Sequence, residues 1–257
     1  MDHVPVFRFA DDPWPGARTD AAGHTPPLLD SSGGAMIEPV AERTPLDLLR
    51  EHAVQDSFEA LREHMIGAML FEDKKRIRQW CLQQAVAALG TRGLFAEFGV
   101  WRGRGVNLFA RHLARSGVTV WGFDSFEGLE EDWTGHARGA EQGRYSLEGQ
   151  MPEVLDNVRL VKGMVQDTVP GWLAEQRQGP LIFAHLDLDT YTPTRFVLDA
   201  IRPRLVPGSV LLFDELYGYP GWRGHEWRAL NEALPADSYR FIAFSGQAVG
   251  IVIERVD

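Results

Sequence analysis

Cysteine is almost absent: Cys81 is the only one in 257 residues. A lone thiol excludes an internal disulfide framework and a cysteine-rich metal site, so a reducing compartment is the simple reading and Cys81 is assigned to the core. Long apolar runs are absent too, and none approaches the roughly 20 residues of a membrane span. The first residues, MDHVPVFRFADD, lack the basic and apolar regions of a secretory signal. A cytoplasmic protein with no membrane partner is expected. Positive charge is scarce: 26 Lys and Arg stand against 36 Asp and Glu, a formal net charge of −10. That balance argues against a phosphate backbone, and so against nucleic acid as a partner.

What is present is enough apolar residue, 44%, to fill one large α/β domain with an appendage. Residues 1–44 hold six of the fifteen prolines and an SSGG run, with no sustained periodicity. They read as an extended N-terminal arm, whose Phe7, Phe9 and Trp14 suit docking on its own domain or on a neighbouring subunit. Residues 45–90 read as a helical extension. Thr44 is a cap, Pro45 suits the first helical position, and Asp47 lies in the first turn, where the helix dipole favours a carboxylate. A second helix is expected across FEDKKRIRQWCLQQAVAALG, with Ile77, Cys81, Ala85 and Ala88 on its apolar face and Gly90 ending it.

From residue 91 to 257 short apolar runs alternate with helical ones: LFAEFG, VNLFARHLARSG, VTVWGFD, NVRLVKG, PLIFAHLDLD, TRFVLDAIRPRL and SVLLFDE. That alternation means βαβ units and a parallel sheet. The final YRFIAFSGQAVGIVIER holds two β-rich runs joined by a turn, which predicts a hairpin and an antiparallel edge.

Ligands of such sheets bind beyond the carboxyl ends of the strands. Those ends carry Glu97, Asp124, Asp187 with Asp189, and Asp214 with Glu215, so six carboxylates are expected on one rim. Gly99, Gly103 and Gly105 in EFGVWRGRG miss the dinucleotide register G-x-G-x-x-G, and no Lys-Ser/Thr pair follows to make a P-loop. A glycine turn without a phosphate cradle, flanked by Glu97, suits a cofactor with an amine or positive charge. Asp124, with Ser125 beside it, stands about twenty residues on, where an acid takes ribose hydroxyls. Together these describe S-adenosylmethionine.

The blocks AEFGVWRG, GFDSFEGL, HLDLDTYTPT and VLLFDELYGYPGW resemble the metal-dependent macrocin O-methyltransferase family, whose members methylate sugar hydroxyls in antibiotic biosynthesis. The resemblance covers roughly residues 60–257. It implies a Rossmann-like class I methyltransferase with a seven-stranded, mostly parallel sheet, an antiparallel last strand and helices on both faces. It implies that Glu97, Gly99 and Gly103 hold the methionine part of the donor and Asp124 and Ser125 the ribose, with Asp187 at the border. It also implies that Asp187, Asp214 and Glu215 hold Mg²⁺ and that Asp189 is the base. The family pair is often Asp-Asp, and the longer arm of Glu215 departs from it.

Among the histidines, His185 is read as a core or supporting residue, His225 as a candidate contact to the acceptor, and His136, in the polar insertion EEDWTGHARGAEQGR, as loop surface. That insertion is long enough to be a lid, and Trp222 and Tyr219 would either stack on the acceptor or brace their loop. The reading is a donor- and Mg²⁺-dependent O-methyltransferase for a small-molecule hydroxyl, a sugar or glycoside first. Rivals are a catechol-type enzyme of the same fold and a binding protein that keeps the fold without turnover. The N-terminal helices are expected to pair subunits into a homo-oligomer, a dimer or larger.

Overall fold

Thr44 starts the first helix as expected: its hydroxyl accepts from Asp47 N–H at 3.2 Å, and the Asp47 carboxylate accepts from Thr44 N–H at 3.1 Å, a reciprocal cap. In this computed structural model, which describes residues 43–136, 140–176 and 179–256, helix α1 runs Pro45–Ile66. The expected arm, residues 1–44, lies outside the described residues except for its last two. Helix α2 (Lys74–Leu89) is capped by the Asp73 carboxylate and ends at Gly90 in a positive-φ conformation. Ile77, Cys81 and Ala85 are buried as expected. Ala88 is exposed, and Leu82 takes the place expected of it in the core.

Among the described residues the sheet has eight strands: β1 (Met69–Leu70), β2 (Leu94–Phe98), β3 (Val120–Asp124), β4 (Val158–Lys162), β5 (Leu181–Leu186), β6 (Val210–Phe213), β7 (Tyr239–Ser245) and β8 (Ala248–Ile253). Their order is β4-β3-β2-β5-β6-β8-β7-β1. Only β8 runs against its neighbours, β6 and β7, so the last strand is the reversed one. One strand more than expected is present because Met69 and Leu70 pair in parallel with Ala243 and Phe244 of β7.

Helices α3 (Arg104–Leu113), α4 (Val165–Glu175), α5 (Tyr191–Ile201) and α6 (Glu226–Ala233) complete the layers. One face of the sheet packs on α2 and α3 through Ile77, Cys81, Val106 and Phe109. The other packs on α1, α4, α5 and α6 through Leu61, Trp172, Val197 and Leu230. Strand alternation decides which side chains go where. In β2, Leu94, Ala96 and Phe98 join the second face and Phe95 the first, which sends Glu97 to the α2/α3 side.

Strand order reverses between β2 and β5, and the ladder continues one residue past the strand ends. Gly99 N–H donates to Phe123 O at 2.9 Å, Asp187 N–H to Phe98 O at 2.8 Å and Asp214 N–H to Leu186 O at 3.0 Å. The rim residues are therefore placed by the sheet itself, not by free loops.

Candidate active site

A cavity of about 690 Å³ opens over this rim, and all six expected carboxylates line it: Glu97, Asp124, Asp187, Asp189, Asp214 and Glu215. The glycine turn forms one wall. A Cβ on Gly99, whose φ is +87°, would stand 1.8 Å from the Asp187 carbonyl oxygen, so only glycine fits between β2 and β5. A Cβ on Gly105 would stand 1.9 Å from Glu97 Oε1. Gly103 is left-handed, with φ +75°, and opens α3.

Asp124 Oδ2 accepts from Val100 N–H at 2.8 Å and Trp101 N–H at 2.7 Å, and Oδ1 accepts from Phe126 N–H at 2.7 Å. Three of the roughly four acceptor positions of this carboxylate thus shape the turns around the cavity, leaving about one for a ligand. Ser125 lines the cavity too, its hydroxyl accepting from Glu127 N–H at 3.1 Å.

The second wall is the acid cluster. His185, fully buried, donates through Nδ1 to Glu97 Oε1 at 2.8 Å and through Nε2 to Asp214 Oδ1 at 3.2 Å. Burial and the Arg78 charge push this imidazolium down, but its hydrogen bonds to Asp214 and Glu97 outweigh them and hold it up at about 9. His185 is thus a core histidine, and one that joins the two walls.

Lys74 and Arg78 reach the same acids from α2: Lys74 Nζ lies 2.7 Å from Asp214 Oδ2 and also meets Glu215, and Arg78 Nη2 lies 2.6 Å from Asp214 Oδ1. Burial raises Asp214, yet His185, Arg78 and Lys74 hold it well below the usual carboxylate range. Its neighbours go the other way. Burial and the Asp214 charge push Asp187 up to about 7 and Glu215 up to about 8. Asp189 and Glu226 stand well above the usual range through burial and the Glu215 and Asp187 charges. Buried acids whose values are pushed apart suit proton exchange. Asp189 is also held at φ +64°, a left-handed conformation that places its carboxyl in the cavity at a cost of about 1–3 kcal/mol.

Lys74, Arg78 and Glu226 also belong to the site, although no local sequence signal marks them. The first two stand four apart on α2, which puts them on one helix face, but nothing local says that this face meets the rim. Glu226 is fully buried and accepts from Glu215 N–H at 3.2 Å, bracing the acidic pair from behind.

The described residues of the insertion, 130–136 and 140–144, form the third side. His225 Nε2 donates to Thr134 O at 2.8 Å, and Gly221 N–H donates to Gly135 O at 3.2 Å. The two chains touch so closely that a Cβ on Gly221 would stand 2.1 Å from Thr134 O. His225 therefore holds the insertion and does not line the cavity. His136, expected on the surface, lines the cavity instead: its ring stacks on Trp133 at 3.7 Å and 4°. Tyr219 lines it as well, whereas Trp222 is buried and braces the loop, its indole donating to Asp56 Oδ2 at 3.0 Å.

The residues suit both groups that the resemblance implies, with the expected ion set Asp187, Asp214 and Glu215 divided between two clusters. Glu97 Oε2 is buried without a hydrogen-bond partner among the described residues, an acceptor suited to an amine or cationic ligand beside the glycine turn. Ligand atoms of Asp187, Asp189 and Glu215 lie within 4.8 Å of one another, as do those of His185, Asp187 and Asp214. Asp187 is common to both groups, and carboxylate oxygens suit a hard divalent ion such as Mg²⁺.

Residues 96–216 match the family model described as Methyltransferase domain. The chain is similar to the 8-demethyl-8-(2,3-dimethoxy-alpha-L-rhamnosyl)-tetracenomycin-C 4'-O-methyltransferase of Streptomyces olivaceus, with 35% identity over 152 residues. The match covers 53% of this chain and 58% of that one, so it spans little more than half of the relative's length. Among solved structures, CalS11, described as a calicheamicin methyltransferase, is 26% identical, with 82% of this chain and 94% of that chain covered and a TM-score of 0.60. Its apo form, described as a TDP-rhamnose 3'-O-methyltransferase, gives 0.52 at the same identity, with 82% and 96% covered. The O-methyltransferase NovP is 22% identical, covers 82% and 98%, and gives 0.54, a likeness of fold.

Proposed function

We propose, from the match of residues 96–216 to the methyltransferase-domain model, that the chain is an S-adenosylmethionine- and Mg²⁺-dependent O-methyltransferase acting on a sugar hydroxyl in antibiotic biosynthesis. The observation that carries this reading is that one cavity joins the glycine turn, with its unpartnered Glu97 oxygen, to the acid cluster through a single histidine. The tetracenomycin relative, named for a rhamnosyl substrate, and CalS11, named for TDP-rhamnose and calicheamicin biosynthesis, support the sugar acceptor.

In this reading Glu97 and the turn at Gly99 and Gly103 bind the methionine end of the donor, and Asp124 and Ser125 the ribose. The donor, when bound, supplies an electrophilic methyl on a sulfonium. Asp187, Asp214 and Glu215 would hold the ion, which supplies Lewis acidity to an acceptor oxygen. Asp189 takes the hydroxyl proton, a role suited to a carboxyl whose surroundings raise its basicity. Orienting the hydroxyl against the donor is the larger contribution, worth roughly 7–11 kcal/mol in well-aligned systems. Tyr219, His136 and Trp133 form the acceptor wall, and His225 positions that wall through Thr134.

The division into an arm (1–44), a helical extension (45–90) and a methyl-transfer domain (91–257) belongs to the same proposal, with the extension serving the site through Lys74 and Arg78. No helix among the described residues is long and apolar enough to cross a membrane. A homo-oligomer in the cytoplasm is proposed, supported by the exposed Leu48, Leu49, Val54 and Phe58 on α1.

The test is methyl transfer from labelled donor to three acceptors: a rhamnosylated aglycone, a nucleotide-linked rhamnose and a catechol. Methylation of either sugar is expected. Methylation of the catechol alone contradicts the sugar reading.

A further inference from the structure

The three carboxylates assigned to the ion already carry two protein cations, and both come from α2. Lys74 Nζ donates to Asp214 Oδ2 at 2.7 Å and to Glu215 Oε1. Arg78 Nη2 donates to Asp214 Oδ1 at 2.6 Å and to Asp187 Oδ2 at 3.4 Å, so a guanidinium nitrogen lies between the two aspartates that would share an ion. These partners are 109 to 141 residues apart in the chain. The contact is therefore fixed by tertiary packing: Ile77, Cys81, Leu82 and Ala85 bury the same face of α2 in the core, and Lys74 and Arg78 continue that face at the N-terminal end of the helix, where it reaches the rim.

The cluster needs these charges. Asp187, Asp189, Asp214 and Glu215 converge on one cavity, and like charges at such range repel strongly when partly removed from water. A divalent ion would meet the same need, and it would want the same oxygens. Mg²⁺ needs these carboxylates close and in near-octahedral array, so an ammonium already on Asp214 Oδ2 and Glu215 Oε1 competes with it for both position and charge.

The two basic side chains are unequally placed to yield. Arg78 is 16% exposed and holds Asp214 Oδ1 through two nitrogens, Nε and Nη2, while Lys74 is 37% exposed and ends a flexible stem.

We propose that Lys74 is a displaceable resident cation: without a divalent ion it holds Asp214 and Glu215 together, and the ion binds by driving its ammonium off these oxygens while Arg78 stays on Asp214. This rests on the ion reading given above. It makes Lys74 a positioning residue that keeps the ligand set assembled between ions and weakens ion affinity by the cost of its own displacement.

Calorimetric titration of Mn²⁺ into the wild type and Lys74→Met, which keeps the length and removes the charge, tests the proposal. Lys75→Met, an equal change of net charge on the next residue, is the control. Lys74→Met should bind Mn²⁺ about ten-fold more tightly than wild type, with Lys75→Met within about two-fold of it. Equal or weaker affinity in Lys74→Met, or an equal gain in Lys75→Met, overturns the proposal and leaves the ion reading standing. Failure of all three proteins to bind Mn²⁺ overturns both. Should Lys74→Met not fold, a crystal structure of the wild type with Mn²⁺ decides. Nζ beyond hydrogen-bond reach of Glu215, with the ion on the carboxylates, supports displacement; Nζ unmoved beside a bound ion overturns it.

Discussion

His185 Nδ1 lies 2.8 Å from Glu97 Oε1, and both side chains are buried almost completely. The same ring donates from its other nitrogen to Asp214. The residue proposed to hold the donor and a residue proposed to hold the ion are therefore held by one imidazolium, and neither can shift without moving it.

This bridge makes stability depend on pH in a definite direction. The ordinary value of a histidine is 6.5, and the folded protein holds His185 at about 9. Since the folded value is the higher one, the stabilisation is complete below pH 6.5 and is lost as pH rises through 9. Chemical denaturation in EDTA should show the wild type losing stability over that range, and His185→Gln losing much less. Removing one partner of a buried charged pair costs about 3–5 kcal/mol, so the variant should also be markedly weaker near neutrality.

Gly99→Ala should be far worse than an ordinary glycine substitution. Gly117 has a similar positive φ, +69°, with nothing within 4 Å of its would-be Cβ, and Gly117→Ala should cost about 1–2 kcal/mol from backbone strain. Gly99→Ala adds a collision with the Asp187 carbonyl, which must displace either the turn or the strand end. Thermal denaturation and calorimetry with S-adenosylhomocysteine should show a larger fall in Tm and a loss of affinity of at least about ten-fold.

Asp56 on α1 accepts from Trp222 Nε1 at 3.0 Å and from Arg223 Nε at 2.9 Å and Nη2 at 2.8 Å. These bonds fix the loop that carries Tyr219 and, through His225, the insertion. Asp56→Ala should raise KM for the acceptor several-fold while leaving S-adenosylhomocysteine affinity unchanged. Equal losses of both would mean that α1 acts on the whole site.

Cys81 is fully buried against Gly250, and burial pushes its thiol far above the ordinary range. An aromatic disulfide reagent should leave the native protein unmodified and label it only at the rate of unfolding.

Much of the architecture could be read from the sequence because its signals are local. Thr44, Asp47, Gly90 and the alternating runs from Leu94 to Ile253 each specify their own element. Helix α4 was not read, since Pro170 and Gly171 interrupt VQDTVPGWLAE, and β1 was not, since two residues carry no pattern. The acids of the site stood out because strand ends concentrate them. Their partners did not: Lys74, Arg78, Glu226 and Asp56 look like ordinary polar residues of helices and loops until packing brings them to the rim.

The most direct test of the account is methyl transfer by wild type and Asp187→Asn, each with Mg²⁺ and with EDTA, beside calorimetry for S-adenosylhomocysteine. The account predicts that wild-type turnover falls in EDTA and returns with Mg²⁺, and that Asp187→Asn loses at least about 100-fold, close to 2.7 kcal/mol, while keeping its donor affinity. Full turnover by Asp187→Asn in EDTA would contradict it.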